Sequence, residues 1–453
     1  MREKGECFMK IQFPYGKTHL SYEFEEVKVL TSSIEEYNPG KTPDALVEAA
    51  MAAPEGGITL RELAKGKEKI VLIASDHTRP VPSKVIVPPM LREIREGNPN
   101  ADITILISTG CHRETTKEEL VAKFGEEIVK SEKILVHDCD DTQNLVNIGT
   151  LPSGGQCLIN RLAADADLLV AEGFIEPHFF AGFSGGRKSV LPGVAARETV
   201  LANHCSEFIA HPCSRTGILE GNPIHIDMLW AAKQAKLRYI VNVVLNGEKE
   251  PIYAVAGDLE AAHKKGTDFL FSLCGAVTQP ADIVISTNGG YPLDQNVYQA
   301  VKGMTAAEAA VKEGGVIVML AASNDGIGGD HFYHQLADEP DIRKTMDLFL
   351  SRGRKETAPD QWQSQVLLRV LMHATVIYVS DMDDETVRKM HMIPAHSISD
   401  AMEQARKILG KEEVTVTAIP DGIAVAPQLQ VPEVLVAAVH TGGTVAEVLV
   451  GEL

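Results

Sequence analysis

Two clusters of ionisable side chains come directly after apolar runs of the sequence. Segment 76–79, Asp-His-Thr-Arg, follows the run 70–75, and His112 stands four residues after the run 103–108. An imidazole at the mouth of a sheet can transfer protons near neutral pH, and an arginine can bind a carboxylate through two hydrogen bonds. The pattern favours acid–base chemistry on an anion. The ordinary alternative is that these polar residues cap the helices that follow.

The most informative segment is 176–193, EPHFFAGFSGGRKSVLPG, which combines His178, a glycine loop and Lys188 flanked by polar groups. Its spacing over 182–189 nearly fits the nucleotide-binding pattern GxxxxGK[ST], but Arg187 stands where the second glycine is required. Because a side chain there would crowd a phosphate, we reject an ordinary P-loop. A nucleotide-hydrolysing protein remains the alternative of a different class, and a structural glycine turn remains the ordinary one.

Two further candidates are less specific. His204 and Cys205 can ligate a metal, and imidazole suits nickel, zinc and copper, although such a pair is more often surface or core. Tyr298 and Lys302 are four residues apart with Gln299 beside them, so on a helix they share one face. That face can close over a substrate carboxylate, and its ordinary alternative is a solvated helix surface.

The elements that must position these residues alternate between short β-rich runs and amphipathic stretches, which is typical of parallel sheets joined by helical crossovers. The predicted strands are 70–75, 103–108, 134–137, 168–171, 239–245, 282–286, 315–320 and 375–379. The predicted helices are 83–96, 117–124, 156–164, 296–313, 342–351 and 360–373. We therefore predict an α/β protein with mostly parallel sheets.

The sparsely charged segment 274–281, with a glycine and a proline, is interpreted as the boundary between two α/β domains. Residues 1–275 are predicted to form an N-terminal cofactor-binding domain, completed by residues from about 410 onward. Residues 276–410 are predicted to form a C-terminal α/β domain that closes over the site. Because clefts between α/β domains favour ligands, the cofactor and substrate are expected there.

Composition excludes several classes of protein. The 453 residues carry a formal net charge of -19, which disfavours binding to nucleic acid. The seven cysteines form no CxxC pair, as expected in a reducing cytoplasm. No run of 18 apolar residues and no apolar signal core are found, so a soluble cytoplasmic protein without a membrane partner is expected.

Taken together, the segments resemble the lactate racemase family, the nickel-pincer enzymes. The resemblance rests on motifs that occur in this order: SDHTRP at 75–80, TGCHR at 109–113, EPHFFAGFSGGRKSVLPG at 176–193, NHC at 203–205 and YPLDQNVYQAVKG at 291–303. The long central motif is specific. The short motifs are weak alone, and their order strengthens the resemblance.

The resemblance implies a nickel cofactor, the nickel-pincer pyridinium-3,5-bisthiocarboxylic acid mononucleotide, tethered at Lys188 and supplied by cofactor-building enzymes. It implies that His204 completes the nickel coordination and that His112 and His178 are the paired acid/base residues. The other cofactor-binding residues that it implies are Asp76, His77, Thr78, Arg79, Ser184, Gly185, Gly186, Gln299 and Lys302. On the substrate side it implies Arg79, Tyr298, Lys302 and Trp362.

The chemistry of a short 2-hydroxy acid agrees with this assignment. Its C2 hydrogen is a very poor acid, because the carboxylate is already negative, so hydride removal coupled to loss of the hydroxyl proton is easier. The planar 2-keto acid, pyruvate for lactate, can then receive the hydride on its other face, and each enantiomer needs its own base. The neighbouring Phe179 and Phe180 favour a short aliphatic acid. Racemisation of malate or another 2-hydroxy acid remains an alternative, as does a carrier without turnover.

Overall fold

The computed structural model describes residues 8–429 of the chain. Its strands are β1 (Met9–Tyr15), β2 (Thr18–Phe24), β3 (Lys28–Val29), β4 (Lys69–Ser75), β5 (Asp102–Ser108), β6 (Lys133–Val136), β7 (Leu145–Thr150), β8 (Gln156–Asn160), β9 (Leu168–Phe174), β10 (Pro177–His178), β11 (Gly182–Phe183), β12 (Leu237–Leu245), β13 (Pro251–Gly257), β14 (Gly275–Thr278), β15 (Ala281–Thr287), β16 (Val311–Leu320), β17 (Thr375–Val379), β18 (Ile393–Ala395), β19 (Val416–Ile419) and β20 (Ala426–Leu429).

The helices connect these strands, with short 3-10 turns at Gly186–Ser189 and Arg354–Glu356. They are α1 (Pro43–Ala52), α2 (Leu60–Ala64), α3 (Ser83–Gly97), α4 (Lys117–Phe124), α5 (Glu126–Ser131), α6 (Arg161–Ala164), α7 (Arg197–Asn203), α8 (Ser206–Ala210), α9 (Pro223–Gln234), α10 (Leu259–Cys274), α11 (Val297–Glu308), α12 (Asp330–Ala337), α13 (Ile342–Ser351), α14 (Gln361–His373), α15 (Asp384–Lys389) and α16 (Ile398–Leu409). None of these helices is long and apolar enough to cross a membrane.

The first large sheet has the strand order β13-β12-β9-β4-β5-β6, in which only β13 runs antiparallel. Both faces are covered, because alternate residues of one strand enter different cores: Leu72 packs into one hydrophobic cluster and Ile73 into the other. Because β9, β4 and β5 are adjacent and parallel, their carboxyl ends lie side by side at one edge of the sheet.

The second large sheet is fully parallel, in the order β18-β17-β16-β15-β19-β3. The hairpin β1-β2 packs on it, because Phe13 shares a core with Ile283 and Ile285. The two-sheet α/β architecture predicted from alternation is confirmed.

Strands near both ends of the described chain join a different sheet from the one that the predicted domain boundaries imply. Strand β3 and hairpin β1-β2, expected in the first domain, lie on the second sheet, and so does β19, expected to complete the first domain. Strand β19 pairs with β15, and β3 pairs with β19, so these two strands extend the sheet on a side of β15 that would otherwise be unpaired. Residues 430–453 of the predicted completing segment lie outside the described residues.

Two predicted helices also require correction. The stretch 156–164 begins with β8, which pairs with β7, and only its last four residues form α6. The stretch 296–313 contains α11 but ends in β16, because Val311 already pairs with Ala281 in the parallel sheet. Apolar periodicity over so short a span does not separate a helix from a strand.

Candidate active site

Three loops that follow β4, β5 and β9 meet at the same edge of the first sheet, where ligands of open α/β sheets bind. The loop after β9 is the longest. It makes a small hairpin, in which His178 pairs with Gly182, and then enters the 3-10 turn that carries Lys188.

The first two loops are joined by a hydrogen bond between Asp76 and His112. The Nδ1 atom of His112 is 2.8 Å from Oδ2 of Asp76, and the Thr78 hydroxyl donates to Oδ1 at 2.8 Å. Burial disfavours the charged form of Asp76, but the hydrogen bonds from His112 and Thr78 outweigh it and lower the pKa of the carboxyl group. Since the ionised carboxylate accepts from Nδ1, the other ring nitrogen, Nε2, is left with a lone pair for a substrate.

The hydrogen bonding of His178 is the opposite of that of His112. Its Nδ1 accepts a hydrogen bond from the Ala181 amide at 3.3 Å, so the neutral ring carries its hydrogen on Nε2. The ring stacks on Phe179 with centroids 5.1 Å apart. Burial, followed by the charges of Lys188 and Lys302, holds the pKa of His178 well below its ordinary value, so this ring is neutral at physiological pH.

Lys188 presents a partly exposed amine to the same space. Burial, followed by the neighbouring guanidinium of Arg187, holds the pKa of its amine well below the ordinary value. Among residues 8–429, no side chain or carbonyl accepts a hydrogen bond from this amine. An amine whose pKa is lowered in this way is a nucleophile rather than a fixed cation.

His204 is only 7% exposed, and no group among the described residues bonds to its buried Nδ1 atom. Phe180 and Trp362 flank the ring edge-on, with centroids 5.2 and 5.5 Å away. Burial lowers the pKa of His204 to about 3, so the ring keeps a free lone pair. A neutral imidazole with an unused nitrogen can bind a transition metal.

Trp362 shows that the second half of the chain reaches this site, and α11 adds to it. The Tyr298 hydroxyl donates to Asp360 at 3.1 Å. Burial lowers the pKa of Lys302, although the negative charge of Glu176 acts to raise it. The side chains of Tyr298 and Lys302 are therefore not on the solvated helix face that was the ordinary alternative.

Other predicted site residues are occupied within the protein. The Nδ1 atom of His77 is 3.0 Å from the Thr115 hydroxyl, on the side of α4. The Ser184 hydroxyl donates to the Phe174 carbonyl at 2.9 Å and accepts from the Glu176 amide at 2.8 Å. Their cofactor roles remain predictions, as do those of Gly185, Gly186 and Gln299.

Three basic side chains, those of Arg79, Lys188 and Lys302, converge on the site. Arg79 is exposed beyond Asp76, and among residues 8–429 no carboxylate pairs with it, while its charge acts on both lysines. The negative charge of Glu176 acts in the opposite direction and raises the pKa of both lysines. Sequence reasoning assigned Glu176 no role, although it stands in the central motif. Such an excess of positive charge suits an anionic ligand.

Comparisons with known proteins identify the family of the chain. Residues 15–217 match the family described as the lactate racemase N-terminal domain, and residues 276–426 match the lactate racemase C-terminal domain. A lactate racemase from Thermoanaerobacterium thermosaccharolyticum is 50% identical over 419 residues, 92% of this chain and 98% of that protein. A lactate racemase from Lactiplantibacillus plantarum is 51% identical, covering 92% of this chain and 99% of that protein.

Solved structures extend the comparison. The lactate racemase apoprotein from T. thermosaccharolyticum superposes with a TM-score of 0.89 at 50% identity, covering 93% of this chain and 100% of that one. A Thermotoga maritima protein superposes with a TM-score of 0.61 at 18% identity, covering 87% and 100%, and shares the fold alone.

Proposed function

The chain belongs to the lactate racemase family, and we propose that it interconverts L- and D-lactate with a nickel-pincer nucleotide attached to Lys188. One observation carries the proposal. A partly exposed amine and a buried imidazole, those of Lys188 and His204, have no hydrogen-bond partner among residues 8–429 and lie beside His178, while His112 on a neighbouring loop has the opposite hydrogen-bonding character.

The residues present fit such a cofactor. Lys188 offers an amine able to form a covalent bond, and His204 offers an uncommitted nitrogen to the metal. The bound group would supply an electrophilic acceptor that takes the C2 hydrogen of the substrate with its electron pair and returns it. Other enzymes must build the group, so an unloaded chain is expected to be folded and inactive.

Arg79 and Lys302 are suited to hold the substrate carboxylate. Arg79 offers a free guanidinium at the mouth of the site, and a guanidinium binds a carboxylate through two parallel bonds. Lys302 approaches from α11, and its charge reaches His178. Binding between these groups would fix the carboxylate while the hydroxyl and hydrogen exchange places.

The two histidines handle the hydroxyl proton. His112 accepts it at Nε2, because Asp76 holds the hydrogen of Nδ1 and stabilises the imidazolium that forms. His178 begins as a donor at Nε2 and hydrogen-bonds the substrate oxygen. For the other enantiomer His178 must act as the base at Nε2, which requires its ring hydrogen to reside on Nδ1 and the hydrogen bond from the Ala181 amide to be released.

Aromatic side chains favour lactate over malate. Phe179 and Phe180 are nearly fully buried beside His178, and Trp362 covers His204. A methyl group can pack against such rings. The second carboxylate of malate would need a further buried cation.

The test is racemisation of ordinary lactate in deuterium oxide by cofactor-loaded protein. We expect both enantiomers to convert, with equal kcat/KM because the equilibrium constant of a racemisation is unity, and with no deuterium at C2. Malate should convert far more slowly. Deuterium at C2 appearing as fast as inversion would contradict the mechanism, because it would show removal of the C2 hydrogen as a proton.

A further inference from the structure

Arg187, the residue before the lysine, is 1% exposed. Burying a charge is costly unless other groups satisfy it. Within residues 8–429, no carboxylate lies within ion-pair distance of its guanidinium, and burial lowers its pKa to about 9. Neither the proposed reaction nor an ordinary hydrophobic core explains an arginine at this place.

Backbone carbonyls of the preceding loop satisfy the guanidinium instead. Nη2 donates to the Ala181 carbonyl at 2.7 Å, and Nη1 donates to the Phe183 carbonyl at 2.8 Å. Nη1 also lies 3.3 and 3.2 Å from the carbonyls of Ser184 and Gly185. The loop thus folds around its own arginine.

Two neutral imidazoles complete the surroundings of the guanidinium. Nε donates to Nδ1 of His225 at 3.0 Å, and Nη1 is 3.1 Å from Nε2 of His263. Nε2 of His263 also lies 2.9 Å from the Ser184 carbonyl. Burial holds the pKa of both histidines below the ordinary value, so neither adds a charge beside Arg187.

This arrangement is the inverse of a phosphate-binding loop. In a P-loop, backbone amides converge on an anion. Here carbonyls converge on a cation, which explains why Arg187 occupies the position that the nucleotide motif reserves for glycine. The guanidinium fills the interior of the loop and leaves no room there for a phosphate.

The glycines let the loop close tightly. Gly186 has φ +53°, and a Cβ there would lie 2.7 Å from Cδ2 of His263. Its amide donates to Oδ1 of Asn242 at 2.8 Å. A Cβ on Gly182 would lie 2.3 Å from the Ile218 carbonyl. The loop is therefore fixed from outside by its neighbours and from inside by Arg187.

We propose that Arg187 is a positioning residue whose guanidinium serves as the internal template of the 181–188 loop and so fixes the place of the Lys188 amine. The inference rests on the proposed attachment of the cofactor to Lys188. It assigns Arg187 no contact with substrate or cofactor. It predicts that the fork geometry of the side chain matters, beyond its charge.

The first experiment measures loading by intact mass. Purified apoproteins are incubated with cofactor made by the cofactor-building enzymes, and the rate of mass gain on the Lys188 peptide is followed. Because a misplacement of about 1 Å can cost about 100-fold in rate, Arg187→Lys should load about 10- to 100-fold more slowly. Arg215→Lys is the matched control, since Arg215 also donates to carbonyls of its own segment, at 3.0 Å from His211 and Ser214.

Chemical rescue separates the template from a general loss of stability. Millimolar methylguanidinium should restore loading to Arg187→Ala, whereas methylammonium should not, because only the former supplies the planar fork. Loading of Arg187→Lys at the wild-type rate, with an unchanged melting temperature, would overturn the inference. Equal rescue by both cations would also overturn it.

Hydrogen exchange of the cofactor-free proteins gives a second readout that holds even if the Arg187 variants fold poorly. The loop amides of wild-type apoprotein, including that of Gly186, should exchange slowly, and free exchange there would refute an internal template. If wild-type protein gains no mass at Lys188, the proposed attachment fails. A comparison of loop-amide exchange between wild type and Arg187→Lys still decides separately whether Arg187 shapes the loop.

Discussion

Replacing Asp76 with asparagine tests the acid–base role of His112. The carboxylate is 1% exposed and lies 2.8 Å from Nδ1 of the ring. Asparagine has nearly the same shape but no charge. Its amide can also donate to Nδ1, which would force the ring hydrogen onto Nε2 and remove the lone pair that accepts the substrate proton.

The expected loss follows from the charge that His112 gains. Two opposite unit charges about 4 Å apart attract by about 4 kcal/mol at an effective dielectric constant of about 20. The His112 side chain is 42% exposed, so screening reduces this to about 3 kcal/mol. At about 1.36 kcal/mol per factor of ten, Asp76→Asn should lower kcat by about 10²-fold, and the wrong tautomer should lower it further.

The assay is racemisation of L- and D-lactate by loaded protein, with loading checked by intact mass. Thr78→Val is the matched control, because it removes the hydroxyl that donates to Asp76 at 2.8 Å but keeps the carboxylate. The control should lose less than about tenfold. If loaded Asp76→Asn keeps more than about a tenth of the wild-type kcat, the reasoning about His112 is refuted.

Three further predictions concern stability and substrate binding. Gly186→Ala should lower the free energy of unfolding by about 1–3 kcal/mol more than Gly154→Ala, and with it the melting temperature, because both glycines have positive φ but only Gly186 would bring a Cβ against a neighbour. Equal melting temperatures would contradict the tight loop. Glu119 has its pKa lowered to about 2 by the Arg113 guanidinium and its helix-cap amide. The stabilisation by Glu119 should be full above about pH 4.5 and lost as the pH falls towards 2. The melting temperatures of wild type and Glu119→Gln should therefore converge towards pH 2. A difference in melting temperature that does not change with pH would contradict this prediction. Lys302→Met should raise KM for lactate and lower kcat/KM by about 10- to 150-fold, because it removes a hydrogen bond from a charged group to the substrate carboxylate. An unchanged KM would show that Lys302 does not bind the carboxylate.

The sequence predicted β4 and β5, which place two loops of the candidate site, and β17 of the second sheet, because their signals are local. The runs 70–75, 103–108 and 375–379 are apolar, short and bounded by polar segments, and they coincide closely with β4, β5 and β17. Since the carboxyl ends of neighbouring parallel strands share an edge, the meeting of Asp76 with His112 follows from the same pattern.

What escaped prediction depends on partners remote in sequence. Strand β19 joins β15 across more than a hundred residues, so no local pattern assigns it to the second sheet. Likewise, His225 and His263 meet Arg187 from 38 and 76 residues away. The arginine itself was visible as a misfit to the nucleotide motif, but its use within the loop was not. The opposite tautomers of the two histidines also depend on hydrogen bonds that only the folded chain shows.

We propose that Lys188 carries the cofactor that performs racemisation. The most direct measurement compares wild-type protein with Lys188→Met, each co-expressed with the cofactor-building enzymes, for intact mass, nickel content and conversion of both lactate enantiomers. Wild type should hold nickel, carry added mass on the Lys188 peptide and racemise lactate in both directions. The variant should melt at the same temperature or higher, since it removes an amine of lowered pKa that has no hydrogen-bond partner among residues 8–429, and should show neither the mass nor turnover. Racemisation by Lys188→Met at the wild-type rate, or by wild type without added mass, would contradict the account.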